Sequence, residues 1–216
     1  MADPPALPAE APHAAPPPVD APSANALPTN AAPTDAPTQT DAQLSVERVE
    51  AFGEEDLHAL CEATHAAIIE GGGFGWVRPP ERRALETYFR GVLLVPERQV
   101  FTARLNGTIV GSAQLVRPPR NNEAQAFGAQ LMHAFIAPYA RGHGLARLLT
   151  LRVEEAARAM KFQVLNLDVR ETQQAAISLY ESLGYQRWGE HPMYARVHGK
   201  TIRGLFYYKL LQPKAG

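Results

Sequence analysis

An almost wholly apolar segment, Ala129 to Ala137, runs into Pro138-Tyr139-Ala140-Arg141-Gly142-His143-Gly144, and an amphipathic stretch follows at once. Leu145, Leu148, Leu149, Val153, Ala156, Ala157 and Met160 recur at helical spacing, which predicts a helix over 143–160 with one apolar face. A central strand that turns through two glycines into such a helix demands a layered fold with helices packed on a sheet. The turn also has chemical meaning. The first turn of a helix presents unpaired N–H groups and a partial positive charge, and glycines let an anion approach that backbone closely. Two readings are open at this point: a diphosphate cradle, or only a tight strand-to-helix turn.

The flanking elements follow from periodicity. Leu44 to Phe52 alternates as a strand, and Glu54 to Ile69 carries Leu57, Leu60, Cys61, Thr64 and Ile68 on one helical stripe. Pro79 and Pro80 open a second helix to about Leu94. Gln99–Leu105 and Thr108–Gln114 alternate around Asn106-Gly107, a pair suited to a two-residue hairpin turn. Gln163–Val169 is a strand. Thr172 can cap a short helix that Gly184 ends. Tyr185–Trp188 and Leu205–Leu211 close the sheet, with His191 and His198 in the loop between them. The expected class is α+β, or mixed α/β, with one largely continuous sheet.

Composition changes near residue 43. Residues 1–43 hold 11 of the 19 prolines, five acids and no Lys or Arg. Too little apolar surface is present to offset ordering, so 1–43 is expected to be a disordered Pro/Ala-rich tail, and 44–216 one folded domain. The total charge of −1 divides into −5 on the tail and +4 on the domain, which gives no case for nucleic acid. No apolar run approaches the ~20 residues that span a bilayer. A secretory signal and an Arg-rich transit peptide are both missing, so the expectation is cytoplasmic. A single cysteine excludes an internal disulfide and a thiolate zinc site, and its place on an apolar stripe marks a buried structural thiol. No metal site is expected.

Arg141-x-x-Gly144-x-Ala146, after Phe135-Ile136-Ala137-Pro138, resembles the Q/R-x-x-G-x-G/A signature of the GNAT N-acetyltransferase superfamily. Ala175-Ala176-Ile177-Ser178-Leu179-Tyr180-Glu181-Ser182-Leu183-Gly184-Tyr185 resembles a second element of that family. The resemblance covers about residues 44–211. It implies a mostly antiparallel sheet of six to seven strands, splayed between the fourth and fifth. It implies acetyl-CoA as co-substrate and direct transfer to a primary amine. Arg141, Gly142, His143, Gly144, Leu145 and Ala146 would hold the diphosphate. Backbone groups of Phe135, Ile136 and Ala137 would hold the pantetheine arm.

Tyr180 matches the tyrosine that often protonates the departing thiolate; packing alone is the other reading. Gln173 stands where the family often has Asn, one methylene shorter. The family's fourth-strand glutamate is matched by Gln130, which cannot act as a base. His133, Asp168 and Glu123 are the candidates left, beside a water chain.

The C-terminal stretch around Trp188-Gly189-Glu190-His191-Pro192-Met193-Tyr194-Ala195 resembles bacterial tabtoxin-resistance-type acetyltransferases, which act on small polar amines. Trp76, His133, His191 and Tyr194 are then acceptor-pocket candidates, with loop packing as the other reading. An acceptor on a protein N-terminus or lysine, and a silent acyl-CoA sensor, are the alternatives. Dimers are common among resembling proteins, so a homodimer is an open expectation.

Overall fold

The computed structural model describes residues 42–72 and 75–211. The expectation for the tail, all but Ala42 and Gln43, lies outside the described residues, as do Gly73 and Phe74 of the glycine-rich connection. The elements run β1 (Leu44–Val49), α1 (Glu54–Ile69), α2 (Arg82–Leu93), β2 (Arg98–Leu105), β3 (Thr108–Val116), β4 (Gly128–Ile136), α3 (Leu145–Ala159), β5 (Val164–Arg170), α4 (Gln174–Ser182), β6 (Gln186–Val197) and β7 (Lys200–Leu210). They follow the order read from the sequence.

The strands form one seven-stranded sheet, ordered β1-β2-β3-β4-β5-β7-β6. Every neighbouring pair is antiparallel except β4–β5, which is parallel. That parallel pairing covers only Gly128↔Val164, Ala129↔Leu165 and Gln130↔Asn166, after which the ladder stops. The cause is local to β4. Ser112 opposes Phe135 while Gln114 opposes Met132, so Ala113 faces two residues and β4 bulges there. His133 sits in the bulge at φ +51°, the left-handed region that a non-glycine residue seldom adopts. A bulge bends its strand, and here the bend coincides with the parting of β4 from β5.

Helices cover both faces. Ile109 and Val110 are consecutive on β3 and belong to different apolar clusters, as strand alternation requires. Val110 packs with Leu145, Leu149, Val153 and Ala157 of α3 and with Ile177 and Tyr180 of α4. Ile109 packs with Leu57, Leu60 and Cys61 of α1 and Phe89 of α2. Cys61 is 1% exposed. Burial pushes its thiol up to about 11, in keeping with a structural role.

The larger differences from the sequence reading lie in α2, α4, β6 and β7, the last of which starts at Lys200 rather than Leu205. Helix α2 starts at Arg82, because the backbone stays extended through Glu81 after the two prolines. Gln173, not Thr172, holds the N-cap position of α4, and no side chain caps that helix. The stretch containing His191 and Tyr194 is strand, not loop. Strand β6 runs from Gln186 to Val197 and absorbs Pro192 through a register shift between His191 and Ala195. As the outermost strand of the sheet, β6 tolerates a residue that cannot donate to a ladder.

Candidate active site

Beside the end of β4 that has parted from β5, a cavity of about 630 Å³ lies on the α3–α4 face. One end is the turn before α3. Gly142 and Gly144 have φ of +86° and +81°, and Gly144 is the N-cap, without a side-chain cap bond. A Cβ built on either glycine meets nothing within 4 Å, so the space beside this turn is open to a ligand. Arg141, Gly142, Gly144, Leu145 and Ala146 line this end, and Ala134, Phe135 and Ile136 of β4 line the middle. Gln173, Leu179 and Tyr180 line the α4 side.

Two candidates from the sequence fall outside this lining. Ala137 is buried and its N–H is spent on the Val110 carbonyl at 2.7 Å. His143 is exposed and does not line the cavity. Glu70 and Thr150 also line the cavity and carried no sequence signal, and Thr172, read from the sequence as a helix cap, lines it too. Glu70 reaches Arg141 Nη1 at 2.6 Å. Gln173 Nε2 donates to the Gly71 carbonyl at 2.8 Å, tying the start of α4 to the end of α1.

Tyr180 is only 7% exposed, on the cavity wall. Its ring packs edge-on against Tyr185 at 5.6 Å between centroids. Burial pushes its phenol up to about 12, and the negative charge of Asp168 adds to that shift. The group therefore keeps its proton throughout the physiological range.

The opposite face of the splay is polar and aromatic. His133 lies 6.1 Å from Tyr88 between ring centroids, and Trp76 packs edge-on against Tyr88 at 5.2 Å. Gln114 donates through Nε2 to the Tyr88 hydroxyl at 3.0 Å and accepts from Arg98 Nη1 at 2.6 Å. Burial lowers the His133 imidazole below its ordinary value, the positive charge of Arg98 lowers it further, and Asp168 partly offsets both. His133 is thus neutral at pH 7.

Tyr194 donates its hydroxyl to Asp168 Oδ2, and its ring sits edge-on to Phe206 at 5.9 Å. Gly204 makes room for that ring: a Cβ there would meet Tyr194 Cγ at 2.2 Å. His191 is exposed, and its Nδ1 accepts from the Met193 N–H at 3.1 Å. The structure thus brings His133, Asp168 and Tyr194 to one face, with Trp76 reaching His133 through Tyr88. His191 and Glu123 are exposed, and Gln130 lies exposed farther down β4. Among the described residues, no three His, Cys, Asp or Glu side chains cluster in a way that would hold a metal ion. Also among them, no helix is long and apolar enough to cross a membrane.

A seven-stranded sheet parted at its one parallel pair, with a glycine turn feeding a helix beside the gap, defines an acyltransferase-type architecture. The model of the Acetyltransferase (GNAT) family matches residues 59–185. The chain belongs to that family. It is 61% identical over 130 residues to an uncharacterized N-acetyltransferase of the hisH-hisA intergenic region of Azospirillum brasilense, covering 60% of this chain and 77% of that one. It is 34% identical over 115 residues to the N-alpha-acetyltransferase RimI of Mycobacterium tuberculosis, covering 51% of this chain and 66% of that one. Among solved structures, an N-acetyltransferase from Staphylococcus aureus aligns with a TM-score of 0.68 at 19% identity, over 79% of this chain and 99% of that one. A phosphinothricin acetyltransferase from Sinorhizobium meliloti, solved with AcCoA, aligns at 0.64 and 21% identity, over 82% and 95%. At these identities the structural matches speak for the fold alone.

Proposed function

We propose that residues 44–216 form a catalytic domain that transfers an acetyl group from acetyl-CoA to a primary amine of a small polar molecule by direct attack. The observation that carries this reading is the single cavity joining an uncapped, glycine-lined helix N-terminus to a buried tyrosine. It fits the proposed co-substrate. The open space beside Gly142 and Gly144 suits a diphosphate, with Arg141 and the first N–H groups of α3 as its donors. The parted edge of β4 at Phe135 and Ile136 suits an extended amide-bearing arm.

Acetyl-CoA supplies an activated acyl group as a thioester. The protein's part is to orient, to shield and to manage two protons. The N–C bond forms and the C–S bond breaks, the amine gives up a proton, and sulfur gains one. An ammonium near ~10 must lose a proton before it attacks. Neutral His133, on the acceptor face, accepts that proton and passes it to solvent. A histidine below its ordinary value cannot store the proton, so a relay is the role its chemistry allows. Tyr180 donates a hydrogen bond to sulfur as charge builds there. A phenol held at about 12 is a weaker acid than a thiol near ~8.5, so Tyr180 stabilises the leaving thiolate while solvent supplies its final proton.

The tabtoxin-resistance-type pattern around Trp188 to Ala195 supports a small polar acceptor. The likeness to an N-alpha-acetyltransferase is a reason to include peptides among the amines tested. Mass spectrometry of an amine panel with acetyl-CoA tests the reading. The expected result is one amine gaining an acetyl group with stoichiometric release of CoA thiol. Saturable CoA binding with no amine modified would turn the reading toward an acyl-CoA sensor.

A further inference from the structure

A second concavity, about 800 Å³, lies on the outer face of β4, β5, β7 and β6. Its floor follows from the register. Gln130, Asn166 and Tyr208 form one cross-strand row, and Asp168 and Phe206 form the next. Side chains two positions apart on a strand share a face, so both rows project into the groove. Trp188 stands at one side, bulged out of β6, with its ring 5.7 Å from Phe206. The loop before β4 forms the other wall, through Asn122 among others. From Val164 to Asp168 the floor spans about 13 Å at ~3.3 Å per residue.

The chemistry of this lining is specific. Asp168 closes the inner end, on the face that also holds His133, and the charge of Asp168 is felt by both His133 and Tyr180. Away from Asp168 the floor offers neutral amides and flat rings, and the one cation among the described residues of the lining, Arg117, donates through Nη2 to the Pro96 carbonyl at 2.6 Å. Primary amides carry a donor and an acceptor on one planar group, which matches another amide in both directions. Aromatic rings accept the flat face of a planar group. Trp188 is 65% exposed, a large apolar surface beside polar neighbours that a ligand would cover.

We infer that this groove binds the body of the acceptor: an uncharged, amide-bearing chain up to about 13 Å long, whose terminal ammonium lies at Asp168. The inference rests on the acetyl-transfer reading and specifies its substrate class. Asn166 and Gln130 pair with the chain's amides, and Trp188 and Phe206 cover its planar faces.

The test compares glycyl-phenylalaninamide with glycinamide, which present the same amine on a long and a short body, and includes glucosamine. Each is assayed with acetyl-CoA and the full chain, as wild type, Trp188→Ala and Asn166→Leu. The wild type is expected to favour the dipeptide amide over glycinamide by at least tenfold in kcat/KM. Each variant should reduce that preference to about threefold or less. A preference that persists in both variants, a wild type that does not discriminate, or a preference for glucosamine would overturn the assignment. Calorimetric binding of the same probes separates the two claims. If no amine is acetylated, a tenfold tighter Kd for the dipeptide amide that both variants weaken upholds the groove and refutes acetyl transfer. Equal Kd values refute the groove itself.

Discussion

The guanidinium of Arg141 lies 2.6 Å from a carboxylate oxygen of Glu70, across the rim of the cavity that the glycine turn opens. Both side chains are half exposed, so their pairing contributes little to stability, about 0–1 kcal/mol. Its consequence is for binding. Glu70 competes with an incoming diphosphate for Arg141 and repels it as a like charge. Glu70→Gln is predicted to lower the Kd for acetyl-CoA by about three- to tenfold at low ionic strength, with the gain fading as salt screens it. Calorimetric titration at two salt concentrations checks this. Weaker binding would mean that Glu70 holds Arg141 in place for the phosphates.

Gly144 caps α3 at φ +81° with open space where a side chain would project. Gly144→Glu puts a carboxylate into that space at the positive end of the helix. Acetyl-CoA binding should fall by at least a hundredfold, while the left-handed backbone costs about 1 kcal/mol of stability. Binding and thermal unfolding measured on one preparation separate these effects. Retained binding in a folded variant would displace the diphosphate from this turn.

His133 sets the expected pH dependence. Its imidazole is held below the ordinary 6.5, chiefly by burial, so the base form dominates at neutral pH. The value of kcat/KM should rise with pH through a midpoint below 6.5 and level off above it, apart from titration of the acceptor amine. The same shift has a stability sign. A histidine whose value is depressed on folding contributes stability that is present above ~6.5 and is lost as pH falls through the folded value. His133→Gln should remove the ascending limb and flatten stability over that window. An unchanged limb in the variant assigns the proton to another path.

Glu154 is 1% exposed on α3 and is bonded by both carboxylate oxygens to Lys209 Nζ of β7 at 2.7 Å, and by one to Arg158 at 2.8 Å. Removing one partner of such a pair leaves a poorly hydrated charge. Glu154→Ala is predicted to cost about 3 kcal/mol in urea unfolding, while Glu154→Met with Lys209→Met stays within about 1 kcal/mol of wild type. Equal losses in both would show that packing volume, not charge, dominates there.

The fold was largely legible because its signals are local. The alternation of Gln99–Leu105 and Thr108–Gln114 around Asn106-Gly107 gave β2 and β3, and the stripe from Leu145 to Ala157 gave α3. Arg141, Gly142, Gly144, Leu145, Ala146 and Tyr180, which line the cavity, all lie in short sequence motifs, whereas His143 of the same motif does not line it. Other features depend on distant partners. Strand β6 was obscured by Gly189 and Pro192, which read as breakers but are tolerated on a sheet edge paired to β7. The face of His133 depended on a bulge set by register against Ser112 and Gln114. Glu70, Tyr88 and Gln114 join the site only through tertiary contacts, with no spacing in the chain to mark them.

Tyr180 is the residue on which the proposed chemistry turns, and Tyr180→Phe removes its hydroxyl while keeping the ring that packs on Tyr185. Steady-state acetyl transfer by this variant, with the Kd for CoA measured alongside, is the most direct measurement. The account predicts kcat lowered by about ten- to a thousandfold, in the range of a lost hydrogen bond to charge that develops in the transition state, with the Kd for CoA unchanged within about twofold. Unchanged kcat in Tyr180→Phe would contradict it.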